Sequence, residues 1–64
     1  MEQYKQEYNN LLKRYYNGCK YLKEHPEENE KFMPELLKIL DKLNIILEEH
    51  PTKDNEEILN GFKK

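Results

Sequence analysis

Tyr4, Tyr8, Leu11, Leu12, Tyr15, Cys19 and Leu22 recur at intervals of three and four residues along the start of this chain. That spacing gathers side chains on one face of an α-helix. A second apolar stripe runs through Met33, Leu36, Leu37, Leu40, Leu43 and Leu47. Two amphipathic helices must therefore cover each other's apolar faces. The pattern predicts an all-α fold: an antiparallel helical hairpin with a short third helix, able to close further into a dimeric helical bundle. One small helical domain is expected over residues 1–64.

Size limits how well such a fold seals itself. A chain of 64 residues removes only about 60% of its unfolded surface from water on folding. Domains of this size commonly rely on a disulfide, a metal or a neighbouring subunit. Cys19 is the only cysteine, so no disulfide can form within the chain. A protein partner or a second copy is the expected remedy.

Charged residues make up 38% of the chain and hydrophobic residues 36%, with a net charge of −2. The apolar residues are periodic rather than scattered, which marks a folded domain and not a disordered tail. No apolar run approaches the roughly 18 residues of a membrane span, and no basic-then-apolar leader is present. With its lone thiol, the chain reads as cytoplasmic. Lysine far outnumbers arginine and asparagine is frequent. This usage matches AT-rich coding genomes, such as those of low-GC bacteria and their phages, and would suit a phage or mobile-element accessory protein.

Three prolines punctuate the sequence. The residue before a proline is driven out of the α region, so helix 1 is expected over about 2–24, ending at His25-Pro26. Asn17-Gly18 is a common turn pair, but the stripe keeps its phase across it. Gly18 is therefore read as a helical residue that lets a neighbouring helix come close. A short helical turn is expected over about 26–32. Helix 2 is expected over about 34–49 with Pro34 at its first position, where the missing N–H costs nothing; the competing reading is one helix from 27 to 49, kinked at Pro34. Helix 3, about 54–60, starts at Asp54 with Glu57 three residues on, a capping-box arrangement. It stops at Asn60-Gly61, with Phe62 folding back onto Ile58 or Leu59. Helix 2 has the wider apolar arc, since Phe32, Ile39 and Ile46 flank its main stripe. It should contact helix 1 on one side and helix 3 or a second subunit on the other.

The groups able to carry chemistry are few. Leu22-Lys23-Glu24-His25-Pro26 echoes Leu47-Glu48-Glu49-His50-Pro51, but an antiparallel hairpin holds the two histidines about 25 Å apart at 1.5 Å per residue. Each is better suited to a helix C-terminus, which favours a histidine, than to a shared metal. Cys19 sits on the apolar stripe and reads as a core thiol. The acid pairs Glu27-Glu28, Glu48-Glu49 and Glu56-Glu57 lie near helix ends or on solvated faces, and no glycine-rich phosphate loop is present. No catalytic group, metal, cofactor or small-molecule substrate is implied, and the chain is not read as an enzyme. Leu40-Asp41-Lys42-Leu43 resembles four positions of the signature of the short aspartyl-phosphate phosphatases. Leu37-Lys38-Ile39 stands where that family carries Ser-Gln-Glu, so their activity is not implied.

The remaining signal is a second face of helix 1. Gln3, Glu7, Asn10, Arg14, Asn17 and Tyr21 share a stripe that holds the chain's single arginine and no lysine. Arginine and tyrosine are favoured at protein interfaces and lysine is depleted there. The expected partner-binding residues are Glu7, Asn10, Arg14, Asn17 and Tyr21, in an adaptor or regulator that acts by protein–protein contact. The alternative is a nucleic-acid-associated module. Residues 1–25 carry five cations against three acids, a net of +2, and residues 26–64 carry six lysines against ten acids, a net of −4. Lys13, Lys20 and Tyr16 would form its basic, aromatic surface. A net of +2 is a weak electrostatic footprint for that role.

Overall fold

The computed structural model describes residues 2–62. Two long helices, α1 (Gln3–Glu24) and α2 (Asn29–Glu49), pack against one another and are joined by a 3₁₀ turn at Pro26–Glu28. A short helix, α3 (Asn55–Asn60), completes an all-helical array with no strand among the described residues. The array measures 37 × 19 × 18 Å. None of its helices is long and apolar enough to cross a membrane.

α1 passes through Asn17-Gly18 without interruption, as the phase of its stripe requires. A Cβ at Gly18 would collide with Cδ2 of Leu36 on α2, so the missing side chain sets how closely the two helices approach.

α2 begins at Asn29 rather than at Pro34, which lies inside it. The expected helix over 34–49 is thus corrected to 29–49, close in extent to the competing reading of one helix from 27 to 49. Pro34 removes one intrahelical bond, the one its N–H would have made to the carbonyl of Glu30. Glu30 is exposed, so water can replace that donor. The 3₁₀ turn ahead of α2, whose Pro26 carbonyl accepts from the N–H of Asn29, has already set the helical direction. The helical turn expected over 26–32 shrinks to that segment.

Both long helices end alike. His25 and His50 have nearly equal backbone angles (φ −130°, ψ 66° and φ −132°, ψ 72°), and each donates its N–H to the carbonyl four residues back, Tyr21 and Ile46. The histidines are terminators, and each ring lies against a tyrosine. His50 stacks flat on Tyr4 with centroids 3.7 Å apart, whereas His25 tilts against Tyr21 at 4.5 Å.

Asp54 caps α3 through its Oδ1, which accepts from the N–H of Glu56 at 2.9 Å. Glu57 does not return to the cap backbone as a simple capping box would. Thr52 stands between them, its hydroxyl accepting from Asp54 N–H at 3.2 Å and donating to Glu57 Oε1 at 2.7 Å. Gly61 ends the helix at φ 92°, ψ 167°, a conformation essentially confined to glycine.

α3 folds back over one half of the hairpin. Tyr8 donates its hydroxyl to the carbonyl of Ile58 and Tyr16 to that of Leu59, both at 2.6 Å. Asn9 clasps Phe62 at both backbone groups: its Nδ2 donates to the carbonyl at 2.8 Å, and its Oδ1 accepts from the N–H at 2.7 Å. Phe62 is buried in edge contacts with Tyr4 and Tyr8, in the cluster that also holds Leu11, Leu12, Leu43 and Ile46. It therefore closes onto α1 rather than merely back along α3. Tyr8, only 1% exposed, is the centre of this core.

Six residues of α3 roof only part of the hairpin. Met33, Leu37 and Leu40, expected in the core stripe, remain 37%, 57% and 36% exposed. Cys19 is exposed as well and is not the core thiol its place in the stripe suggested. The core of α2 instead runs through Leu36, Leu43 and Ile46, the line that meets α1 directly. The half-buried Ile39 and Leu47 pack beside that cluster.

Candidate functional site

The side of the hairpin free of α3 carries the stripe singled out on α1. A groove of about 450 Å³ lies there, lined by Gln3, Gln6, Glu7, Asn10, Leu11 and Arg14 from α1 and by Lys42 from α2. A second groove of about 360 Å³ follows along the same helix pair and is lined by Arg14, Gly18, Tyr21, Phe32, Glu35, Leu36 and Ile39. Arg14 belongs to both, so the two halves meet at its side chain. From Gln3 to Tyr21 the furrow runs about 27 Å at 1.5 Å per residue. One half is mainly polar and the other mainly apolar, in keeping with interfaces that have an apolar core and a polar rim.

Neither Glu7 nor Arg14 takes part in an ion pair among the described residues. The sequence explains this locally. Three and four residues from Glu7 stand Tyr4, Gln3, Asn10 and Leu11, and around Arg14 stand Leu11, Asn10, Asn17 and Gly18. No opposite charge occupies the positions that meet on a helix surface.

Of the five expected partner-binding residues, the structure places Glu7, Asn10, Arg14 and Tyr21 along this furrow. Asn17 is exposed and lines neither half. Tyr21 has internal work to do. Its hydroxyl donates to Glu28 Oε2, its ring lies against His25, and Phe32 meets it edge-on at 5.6 Å. Glu28's carboxylate, then burial, raises the Tyr21 pKa above its ordinary value. Tyr21 therefore braces the turn end of the hairpin and also lines the furrow. Sequence reasoning missed Gln6, Lys42 and Glu35 as furrow residues, because the last two come from α2 and depend on its register against α1.

Two further features stand apart from the furrow. His25, Glu27 and Glu28 hold potential metal-ligand atoms within 4.8 Å of one another. His25 Nδ1 lies 3.5 Å from Glu27 Oε1, and Tyr21 engages Glu28. On the opposite flank, beyond the reach of α3, Tyr15, Cys19, Leu22, Met33, Leu36 and Leu37 line an apolar groove of about 310 Å³. The Cys19 thiol beside Tyr15, then burial, raises the pKa of that phenol.

The surface suggested for nucleic acid is less free than its sequence implied. Lys13 and Lys20 are exposed, but the hydroxyl of Tyr16 is committed to Leu59. No family model matches this chain, and no curated protein or solved structure matches it either.

Proposed function

We propose that this protein is a non-catalytic helical interaction module that docks a protein partner along the furrow centred on Arg14. The observation that carries the reading is the position of the chain's only arginine. Among the described residues it has no ion-pair partner, and it stands where a polar and an apolar groove meet, flanked by Glu7 and Asn10. A guanidinium supplies five donors in a fixed plane and loses little hydration on burial, which makes it an effective interface anchor. The apolar half, with the half-buried Phe32 and Ile39, supplies the surface that a partner would shield from water.

Affinity capture from the native host with the intact chain and with Arg14→Ala tests this reading. Arg14 is exposed and makes no ion pair among the described residues, so the variant is expected to retain its helicity. Loss of a captured protein with Arg14→Ala supports the furrow. Equal capture by both chains removes the furrow from consideration. Retention on single-stranded DNA or RNA at low salt, lost as salt rises, would favour the nucleic-acid reading instead.

A further inference from the structure

We infer that the furrow accepts a second copy of this chain, whose α1 lies antiparallel to α1 across a two-fold axis near Asn10. The inference rests on the docking role of the furrow proposed above and names its occupant.

Glu7 and Arg14 lie two turns apart on the same stripe and bracket Asn10, and neither has an ion-pair partner among the described residues. An interface with two-fold symmetry pairs one patch with itself, so residue i meets residue j and j meets i. In an antiparallel pairing of α1 centred near Asn10, Glu7 of each copy faces Arg14 of the other. Two ion pairs form at once, and the Asn10 amides meet near the axis. A parallel pairing would set Glu7 against Glu7 and Arg14 against Arg14, which like-charge repulsion disfavours. The stripe is thus self-complementary in one orientation and self-repelling in the other.

The shape of the hairpin fits the same arrangement. If each α1 rests between α1 and α2 of the other copy, the four long helices form a bundle of rhombic section with the two α1 helices on its short diagonal. The half-buried furrow linings Phe32 and Ile39 then gain cover on the side that α3 leaves open. Lys42 and Glu35, the charged residues that α2 adds to the furrow, are one of each sign.

Sedimentation equilibrium of the full chain and two charge-reversed variants, with helicity checked by circular dichroism, tests the inference. At hundreds of micromolar the unmodified chain is expected at twice 7.9 kDa. Glu7→Arg and Arg14→Glu, alone, are each expected at the single-chain mass. Mixed in equal amounts, the two variants are expected to return to the doubled mass, because every facing pair is again opposite in charge. Asn10→Glu, which sets two carboxylates near the axis, is also expected at the single-chain mass.

An unmodified chain at 7.9 kDa throughout overturns the inference, while the host capture with Arg14→Ala still decides the docking role on its own. A doubled mass that either reversal leaves intact places self-association elsewhere, such as on the Met33 and Leu37 flank, and overturns it. Single-chain mass in the mixture overturns the antiparallel pairing.

Discussion

Gly18 on α1 lies directly against the side chain of Leu36 on α2, with no room between them for a Cβ. This contact fixes the separation of the helices at the turn end of the hairpin, in the apolar half of the furrow. It also explains a residue that local propensity disfavours. Glycine inside a helix costs about 1 kcal/mol relative to alanine, and here that loss is offset by closer packing.

Gly18→Ala therefore lowers stability despite improving helix propensity. Leu36 is only 6% exposed, and its Cδ2 must shift away from α1 to admit the new methyl group. Overpacking of this kind costs roughly 1–3 kcal/mol, which exceeds the propensity gain. Urea unfolding should show a lower midpoint for Gly18→Ala. In a Leu36→Ala background the sign reverses, and the same change raises the midpoint. A gain in both backgrounds would refute the role assigned to the contact.

Tyr8 ties α3 to the core. Tyr8→Phe keeps the buried ring but deletes the donor to Ile58, at a cost of about 1 kcal/mol. Burial, then the neighbouring Tyr16, raises the Tyr8 pKa above its ordinary value of 10.0. Between the unfolded and folded pKa values, the unfolded chain binds fewer protons than the folded one. Stability is therefore complete below about pH 10 and falls as pH rises through the folded value. Thermal unfolding scans above pH 9 should show this alkaline loss, reduced in Tyr8→Phe. An identical alkaline slope in the two proteins would assign it to other phenols.

Gly61 is the hinge by which Phe62 reaches the core. A side chain at φ 92° is strained, and a Cβ there would also press on Asn9 Oδ1. Gly61→Ala is expected to cost roughly 1–3 kcal/mol and to loosen the Phe62 clasp. Hydrogen exchange should rise at the N–H of Phe62, which Asn9 protects, and leave the turn end unchanged. Unaltered protection of Phe62 would show that the clasp holds without this backbone geometry.

How much of this was legible in the residues can be traced position by position. The α1 stripe located Tyr8, Leu11, Leu12 and Leu22, all buried, because period 3.6 reports directly which face is apolar. Pro34 misled, since its effect depends on whether a helical turn already stands ahead of it, and Pro26–Glu28 provides one. Cys19 and Leu37 looked internal because hydropathy records what a face can bury, not whether α3 is long enough to cover it. The tethers from Tyr8 to Ile58 and from Asn9 to Phe62 span 50 and 53 residues and leave no local signature. At the candidate site, helical spacing located Glu7, Asn10, Arg14 and Tyr21 on α1, but it missed Gln6 and included Asn17, which lines neither half. The α2 half of the furrow, Lys42 and Glu35, depends on interhelical register, which the Gly18–Leu36 contact helps to set.

The central claim is that α1 has two working sides, one sealed by α2 and α3 and one open along the Arg14 furrow. Amide chemical shifts measured across a concentration series, and again with any captured partner added, test it most directly. The account predicts shifts that move at Gln3, Glu7, Asn10 and Arg14, with Tyr16, Leu59 and Phe62 stationary. Movement confined to Tyr16 and α3, with the Arg14 stripe silent, would contradict it.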